Sequence, residues 1–187
     1  MAATTRSPAE AARAGRDRIV FLSAALLVVA LDQSSKELVR QALPVGGRWP
    51  GPEWPLSQYF TVTHVGNTGV AFGMFQGQSD VLLLVSLAVI LALLWYRRRA
   101  PAGALWLNVA LGLQVGGALG NMVDRVRIGH VTDFLDFQFW PVFNVADSSI
   151  FLGAVLLGWH LWRDERAARR AGPHAGATAA LAEDRCD

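Results

Sequence analysis

Two aspartates, Asp133 and Asp147, stand beside apolar residues in Val131-Thr132-Asp133-Phe134 and Phe143-Asn144-Val145-Ala146-Asp147-Ser148. If two carboxylates share a desolvated site they cannot both ionise easily, so one pKa rises. Such a pair holds one proton near neutral pH. One member then serves as general base toward water, while the protonated one polarises a carbonyl. That is acid–base attack of water on a carbonyl, and it needs neither a nucleophilic side chain nor a metal. Spacing alone leaves a second reading open, with Asp147 as the N-cap of a following helix and Asp133 as a turn residue.

Two further groups carry charge into apolar surroundings, where a membrane makes it costly, about 2.5–3.5 kcal/mol at the bilayer centre. Asp32 and Lys36 are four residues apart, so on a helix they share a face and can pair. In Gly120-Asn121-Met122-Val123-Asp124-Arg125 the three- and four-residue spacings put Asn121, Asp124 and Arg125 on one face. The plain alternatives are a charge pair that fixes helix position and an interfacial anchor. No spacing suits zinc, and the single cysteine, Cys186, cannot form an internal disulfide. No metal or cofactor is expected.

The composition says what kind of element must hold these residues. Of 187 residues, 52% are hydrophobic and 17% charged, against about 25% charged in a soluble domain; mean hydropathy is +0.30. Charge crowds into residues 1–18 and 163–187 and leaves Val81–Tyr96 and Pro101–Val123 bare. This excludes a disordered chain and argues against a soluble globule. An all-α membrane protein is expected, with four transmembrane helices at about residues 19–43, 80–96, 102–123 and 148–162.

The first run follows Arg13, Arg16 and Arg18 as a signal peptide would. Asp32 then stands where a cleavage site needs small residues, so the helix is expected to stay. Residues 1–18 and 163–187 read as tails around a membrane domain of 19–162, the first of them poorly ordered. Pro44–Pro55 is rich in breakers, with Trp49 and Trp54 suited to the headgroup region. Tyr59–Val65 predicts a short strand, Gly66–Phe75 a loop, and Asp124–Asp147 a polar and aromatic connection. Gly112, Gly116 and Gly120 allow a close helix contact.

Twelve of the 17 basic residues fall in the two tails and Arg97–Arg99, which places both termini in the cytoplasm. The connections 41–79 and 124–147 then face outward together, and any site is expected there. The net charge of +2 serves orientation, so no nucleic-acid partner is expected.

Five separated motifs, in order on this topology, resemble the lipoprotein signal peptidases, or type II signal peptidases, which are bacterial aspartic peptidases with four transmembrane helices. They are Asp32-Gln33-Ser34-Ser35-Lys36, Asn67-Thr68-Gly69-Val70-Ala71-Phe72, the Gly120–Arg125 segment, Val131–Phe134 and Phe143–Ser148. The resemblance spans about Ile19–Trp162. It implies that Asp133 and Asp147 are the catalytic dyad, that Asn67, Asn121, Arg125 and Asn144 line the substrate and inhibitor site, and that Asp32, Lys36 and Asp124 support it. The implied reaction removes the signal peptide of a prolipoprotein just before its diacylglyceryl-modified cysteine, at the outer leaflet of the bacterial inner membrane. The implied partners are such substrates, membrane lipids and globomycin-type inhibitors. The first outward connection is expected to form a small extracytoplasmic β-sheet cradle lying on the membrane.

The chain departs from the family pattern in one place. The connection between the two aspartates, Phe134–Ala146, is a few residues short, which affects the shape of the substrate entrance. A proton-coupled transporter using Asp32, Lys36 and Asp124 is disfavoured, because the acids cluster at one boundary instead of crossing the membrane depth. A non-catalytic scaffold predicts that the aspartates tolerate neutral replacement. His64, His130, His160 and Trp162 read as strand, turn and interface residues, and the aromatic series Phe134, Phe137, Phe139, Trp140 and Phe143 reads as packing or membrane-interface material.

Overall fold

The first helix starts earlier than its apolar run. In the computed structural model, which describes residues 7–69, 77–101 and 103–171, α1 spans Pro8–Ala42. The Ser7 hydroxyl accepts from the Glu10 amide, the Glu10 carboxylate accepts from the Ser7 amide, and Pro8 sits in the first turn. That capping box starts a helix inside the segment expected to be loose. α2 is Ser79–Arg99, α3 Leu105–Ile128 and α4 Val145–Ala171. α3 ends at Gly129, whose φ of 78° suits the left-handed cap. α4 continues past Trp162 into the charged tail; the rest of that tail, with Cys186, lies outside the described residues.

Among the described residues, Ser79–Arg99 and Val145–Arg170 are long and apolar enough to cross a membrane. The four helices stand near their expected positions, but only these two pass on length and composition. α1 carries Asp17, Arg18, Asp32 and Lys36, and α3 carries Asn108, Gln114 and Asn121, which dilute their apolar content. Large apolar side chains nevertheless cover the outside, among them Leu26, Leu84 and Phe151.

α3 is the central post, packed most extensively against α4 and α1. Leu107, Leu111, Val115 and Ala118 of α3 bury against Phe21 of α1 and Ile90 of α2. The glycine face meets α1: a Cβ at Gly112 would lie 2.7 Å from the Phe21 carbonyl oxygen, and one at Gly116 2.7 Å from that of Ala25. The expected close contact is therefore made within the chain. At the far end Asp17 accepts from the Gly103 amide at 2.6 Å, and Arg97 donates to Asn108 at 3.0 Å while lying over the Phe21 ring.

A three-stranded antiparallel sheet, in the order β1 (Arg48–Trp49), β2 (Thr61–Asn67), β3 (Val131–Asp136), caps the other end. β2 lies two residues later than its predicted span. β3 falls within the segment expected to be a polar and aromatic connection. It is a strand because β2 supplies its ladder, with Val65 opposite Asp133 and Asn67 opposite Val131. The cradle is thus built from both connections, and one of the chemistry-bearing aspartates stands on it.

Candidate active site

The functional side chains come from α1, α3, β2, β3 and the start of α4, and the joints between these elements are hydrogen bonds and ion pairs. Asp133 lies in mid-β3 and Asn67 at the end of β2, offset by two residues across the ladder so that both side chains share a face. Asn67 Nδ2 donates to Asp133 Oδ2 at 2.8 Å, and its own Oδ1 accepts from the Gly69 amide at 2.9 Å. The second aspartate comes from the first turn of α4. Asn144 caps that helix: its Oδ1 accepts from the Asp147 amide at 2.9 Å, and Asp147 Oδ2 accepts from the Asn144 amide at 3.3 Å. Asn144 is therefore the cap and Asp147 its reciprocal partner three residues on.

Asn144 also joins the two aspartates, because its Nδ2 donates to Asp133 Oδ1 at 2.6 Å. Asn121 Nδ2 donates to Asp147 Oδ1 at 2.8 Å. Its orientation is set from behind: Lys36 can only donate, and its Nζ bonds Asn121 Oδ1 at 2.8 Å. The amide nitrogen must then face Asp147. Lys36 completes its three donors with Asp32 Oδ2 at 2.8 Å and Asp124 Oδ2 at 3.2 Å. Lys36, Asp32 and Asn144 are fully buried, and Asp133 is 2% exposed.

The supporting carboxylates also pin backbone. Asp32 Oδ1 accepts from the Ala146 amide at 2.9 Å, satisfying a donor at the start of α4, and Asp124 Oδ2 accepts from the Thr132 amide at 3.0 Å, next to Asp133. Burial pushes the Asp133 carboxyl up to about 7; the Asp147 charge adds to this, while the Asn67 and Asn144 bonds and the Lys36 charge pull it down. This arrangement can keep one proton on a carboxylate pair at neutral pH. Among the described residues no group of three or more His, Cys, Asp or Glu could hold a metal ion.

The structure thus brings all nine expected residues to one end of the bundle. Asn121 and Asn144 are buried with their amides committed to the aspartates and Lys36, so they position the pair. Asn67 and Arg125 lie nearer the surface, and Arg125 Nη2 donates to the Gly69 carbonyl at 3.4 Å. Val70, Ala71 and Phe72 of the second motif lie outside the described residues. His64 bonds the Leu43 carbonyl at 2.8 Å, away from the aspartates. Phe137 stacks with Phe143 at 5.9 Å, meets Phe60 at 5.0 Å and meets Phe139 at 6.2 Å, so this part of the aromatic series does pack, although Phe139 is 84% exposed.

Three members of the network were missed. Arg40 Nη1 bonds Thr132 Oγ1 at 3.0 Å, and Gln33 Nε2 bonds the Gly120 carbonyl at 3.0 Å. A signal existed for Arg40, which continues the four-residue spacing of Asp32 and Lys36. None existed for Thr132, whose role depends on β3 lying beside α1.

Residues 24–163 match the family model described as signal peptidase (SPase) II. A lipoprotein signal peptidase of Halothermothrix orenii is 41% identical over 141 residues, covering 75% of this chain and 94% of that protein. One from Mycobacterium avium is 41% identical over 160 residues, covering 82% of this chain and 84% of that one. Among solved structures, a bacterial membrane enzyme determined by the in meso method at 2.3 Å matches with a TM-score of 0.70 and 29% identity, covering 81% of this chain and 90% of that chain.

Proposed function

The chain belongs to the signal peptidase II family of lipoprotein signal peptidases, and from that premise we propose that Asp133 and Asp147 form the catalytic dyad of an aspartic endopeptidase. The observation that carries the proposal is Asn144, which donates to Asp133 through its side chain and to Asp147 through its backbone. Asp147 takes a proton from water, and the resulting hydroxide attacks the scissile carbonyl carbon. Asp133, protonated, donates a hydrogen bond to the carbonyl oxygen as negative charge develops there. Collapse of the tetrahedral intermediate breaks the C–N bond, and the proton held by the dyad passes to the leaving amine. Asn67 and Arg125 face the substrate; Asn121, Asn144, Asp32, Lys36 and Asp124 position the pair.

The substrate is a bacterial prolipoprotein cut before its diacylglyceryl-modified cysteine, and globomycin-type inhibitors occupy the same site. All four helices span the inner membrane with both termini cytoplasmic and the dyad near the outer leaflet. In α1 and α3 the outer charges are paired inside the bundle, which lets two charge-bearing helices sit in lipid. The test is cleavage of a diacylglyceryl-modified precursor peptide by purified enzyme in micelles. Asp133→Asn and Asp147→Asn each lower turnover by at least about 100-fold while the protein still folds. Full cleavage by either variant overturns the dyad, and equal cleavage of an unmodified-cysteine precursor overturns the substrate assignment.

A further inference from the structure

The ladder between β2 and β3 changes register before it reaches Asp133. Thr61 pairs with Asp136 and Val62 with Leu135, but Val65 pairs with Asp133 and Asn67 with Val131. Thr63 and His64 therefore stand together against Phe134, a β-bulge of one extra residue. An unbroken ladder would set His64 opposite Asp133 and Asn67 opposite His130. Side chains alternate along a strand, so Asn67 would then stand on the face of the sheet away from Asp133. The bond from Asn67 Nδ2 to Asp133 Oδ2 at 2.8 Å thus depends on the shifted register.

The bulge is held by the stretch of chain that leaves α1. His64 is buried. Its amide donates to the Gly47 carbonyl at 2.9 Å, its carbonyl accepts from the Gly46 amide at 2.8 Å, and its ring Nδ1 lies 2.8 Å from the Leu43 carbonyl. A carbonyl can only accept, so Nδ1 carries the proton and donates it. Leu43 is the C-cap of α1, where a carbonyl has no partner within the helix. The ring therefore ties the bulge to the helix that also carries Lys36, which aims Asn121 at Asp147.

We propose that His64 is a positioning residue for the dyad: docked on the end of α1, its ring fixes the one-residue bulge that brings Asn67 onto Asp133. Bulges beside active sites re-aim side chains in this way. Among the described residues His64 makes no hydrogen bond to either aspartate, so its effect passes through Asn67. The inference rests on the dyad reading above and assigns that dyad a support outside the buried charges.

The experiment measures kcat of the full chain in micelles, on the diacylglyceryl-modified precursor peptide, for His64→Leu, His64→Asn, Asn67→Ala and the double variant His64→Leu with Asn67→Ala. His64→Leu fills the space without a donor and is expected to lower kcat about tenfold. His64→Asn offers the Leu43 carbonyl a side-chain N–H again and is expected to stay within about threefold of the unaltered chain. The double variant is expected to lose no more than Asn67→Ala alone, because both changes remove the same bond, whereas a packing role multiplies the two losses. Unchanged kcat in His64→Leu, an Asn variant as slow as the Leu variant, or multiplied losses each overturn the role. If His64→Leu does not fold, nitrogen NMR of the ring in the unaltered chain decides: a proton on Nδ1 is expected, and a proton on Nε2 alone overturns the tie. The two readings fail separately. Full cleavage by Asp133→Asn overturns the dyad, while an inactive Asp133→Asn beside a fully active His64→Leu overturns only the positioning role.

Discussion

Along the seam between α1 and α3 one helical spacing makes two opposite kinds of contact. In one half Phe21, Ala24, Ala25 and Val28 lie on Gly112 and Gly116, backbone close to backbone. In the other half Asp32, Lys36 and Arg40 face Gly120, Asn121 and Asp124. Small residues hold two helices together by close packing and leave no group to react. Buried charges hold them by exacting geometry at a desolvation cost, so they are weak evidence for stability; here they fix which way Asn121 faces and hold the start of α4. The first half is a frame, and the second uses that frame to aim side chains.

Breaking the charged half is expected to give the largest effect. Lys36→Met leaves Asp32 and Asp124 buried without their shared cation, and removing one partner of such a group costs about 3–5 kcal/mol. Denaturant unfolding in micelles, followed by tryptophan fluorescence, measures it. An unchanged midpoint would mean that the charges do not act as one buried network, and the contrast between the halves would fail.

A matched pair of glycine changes comes next. Gly116→Ala places a Cβ 2.7 Å from the Ala25 carbonyl oxygen, against backbone, and overpacking of that kind costs about 1–3 kcal/mol. The folded fraction should keep its kcat/KM. Gly120→Ala instead drives a Cβ to 2.5 Å from Asp32 Oδ2, a side-chain oxygen of the carboxylate that holds the start of α4. Its main effect should be on kcat, because Asp147 rides on that first turn. Equal kcat losses from the two variants would erase the division of labour.

The two halves also differed in how far the sequence disclosed them. Gly112 and Gly116 announce their contact by spacing alone, and the apolar runs of α2 and α4 announce themselves by length. Asp32, Lys36 and Arg40 are equally periodic, but their meaning depends on what α3 and β3 bring to meet them. β3 went unseen because a six-residue strand is decided by its partner, and β2 lies more than sixty residues earlier. The start of α1 was readable and was overlooked: Ser7-Pro8-Ala9-Glu10 is a capping signal. Asn121 and Asn144 were placed in the site by family resemblance, but their job of aiming the aspartates follows from hydrogen bonds that no spacing reveals.

The smallest expected effect is a displacement of the pH profile, and it belongs to the end of the bundle that the charged half supports. Asp133 is pushed up to about 7 by burial first and by the Asp147 charge second. Below that pH the pair keeps its proton and can donate to the substrate carbonyl. As pH rises through about 7 the proton leaves, and kcat/KM should fall about tenfold for each further pH unit. The descending limb reports the pair as a unit. The bond from Asn67 lowers the Asp133 pKa by favouring its charged form. Asn67→Ala should therefore move the limb upward, by less than about one pH unit for the loss of one hydrogen bond. Gly116→Ala, in the packed half, should leave it in place. A limb that stays put in Asn67→Ala would mean that the pair containing Asp133 does not set the limb, and one that moves in Gly116→Ala would mean that the frame also tunes the chemistry.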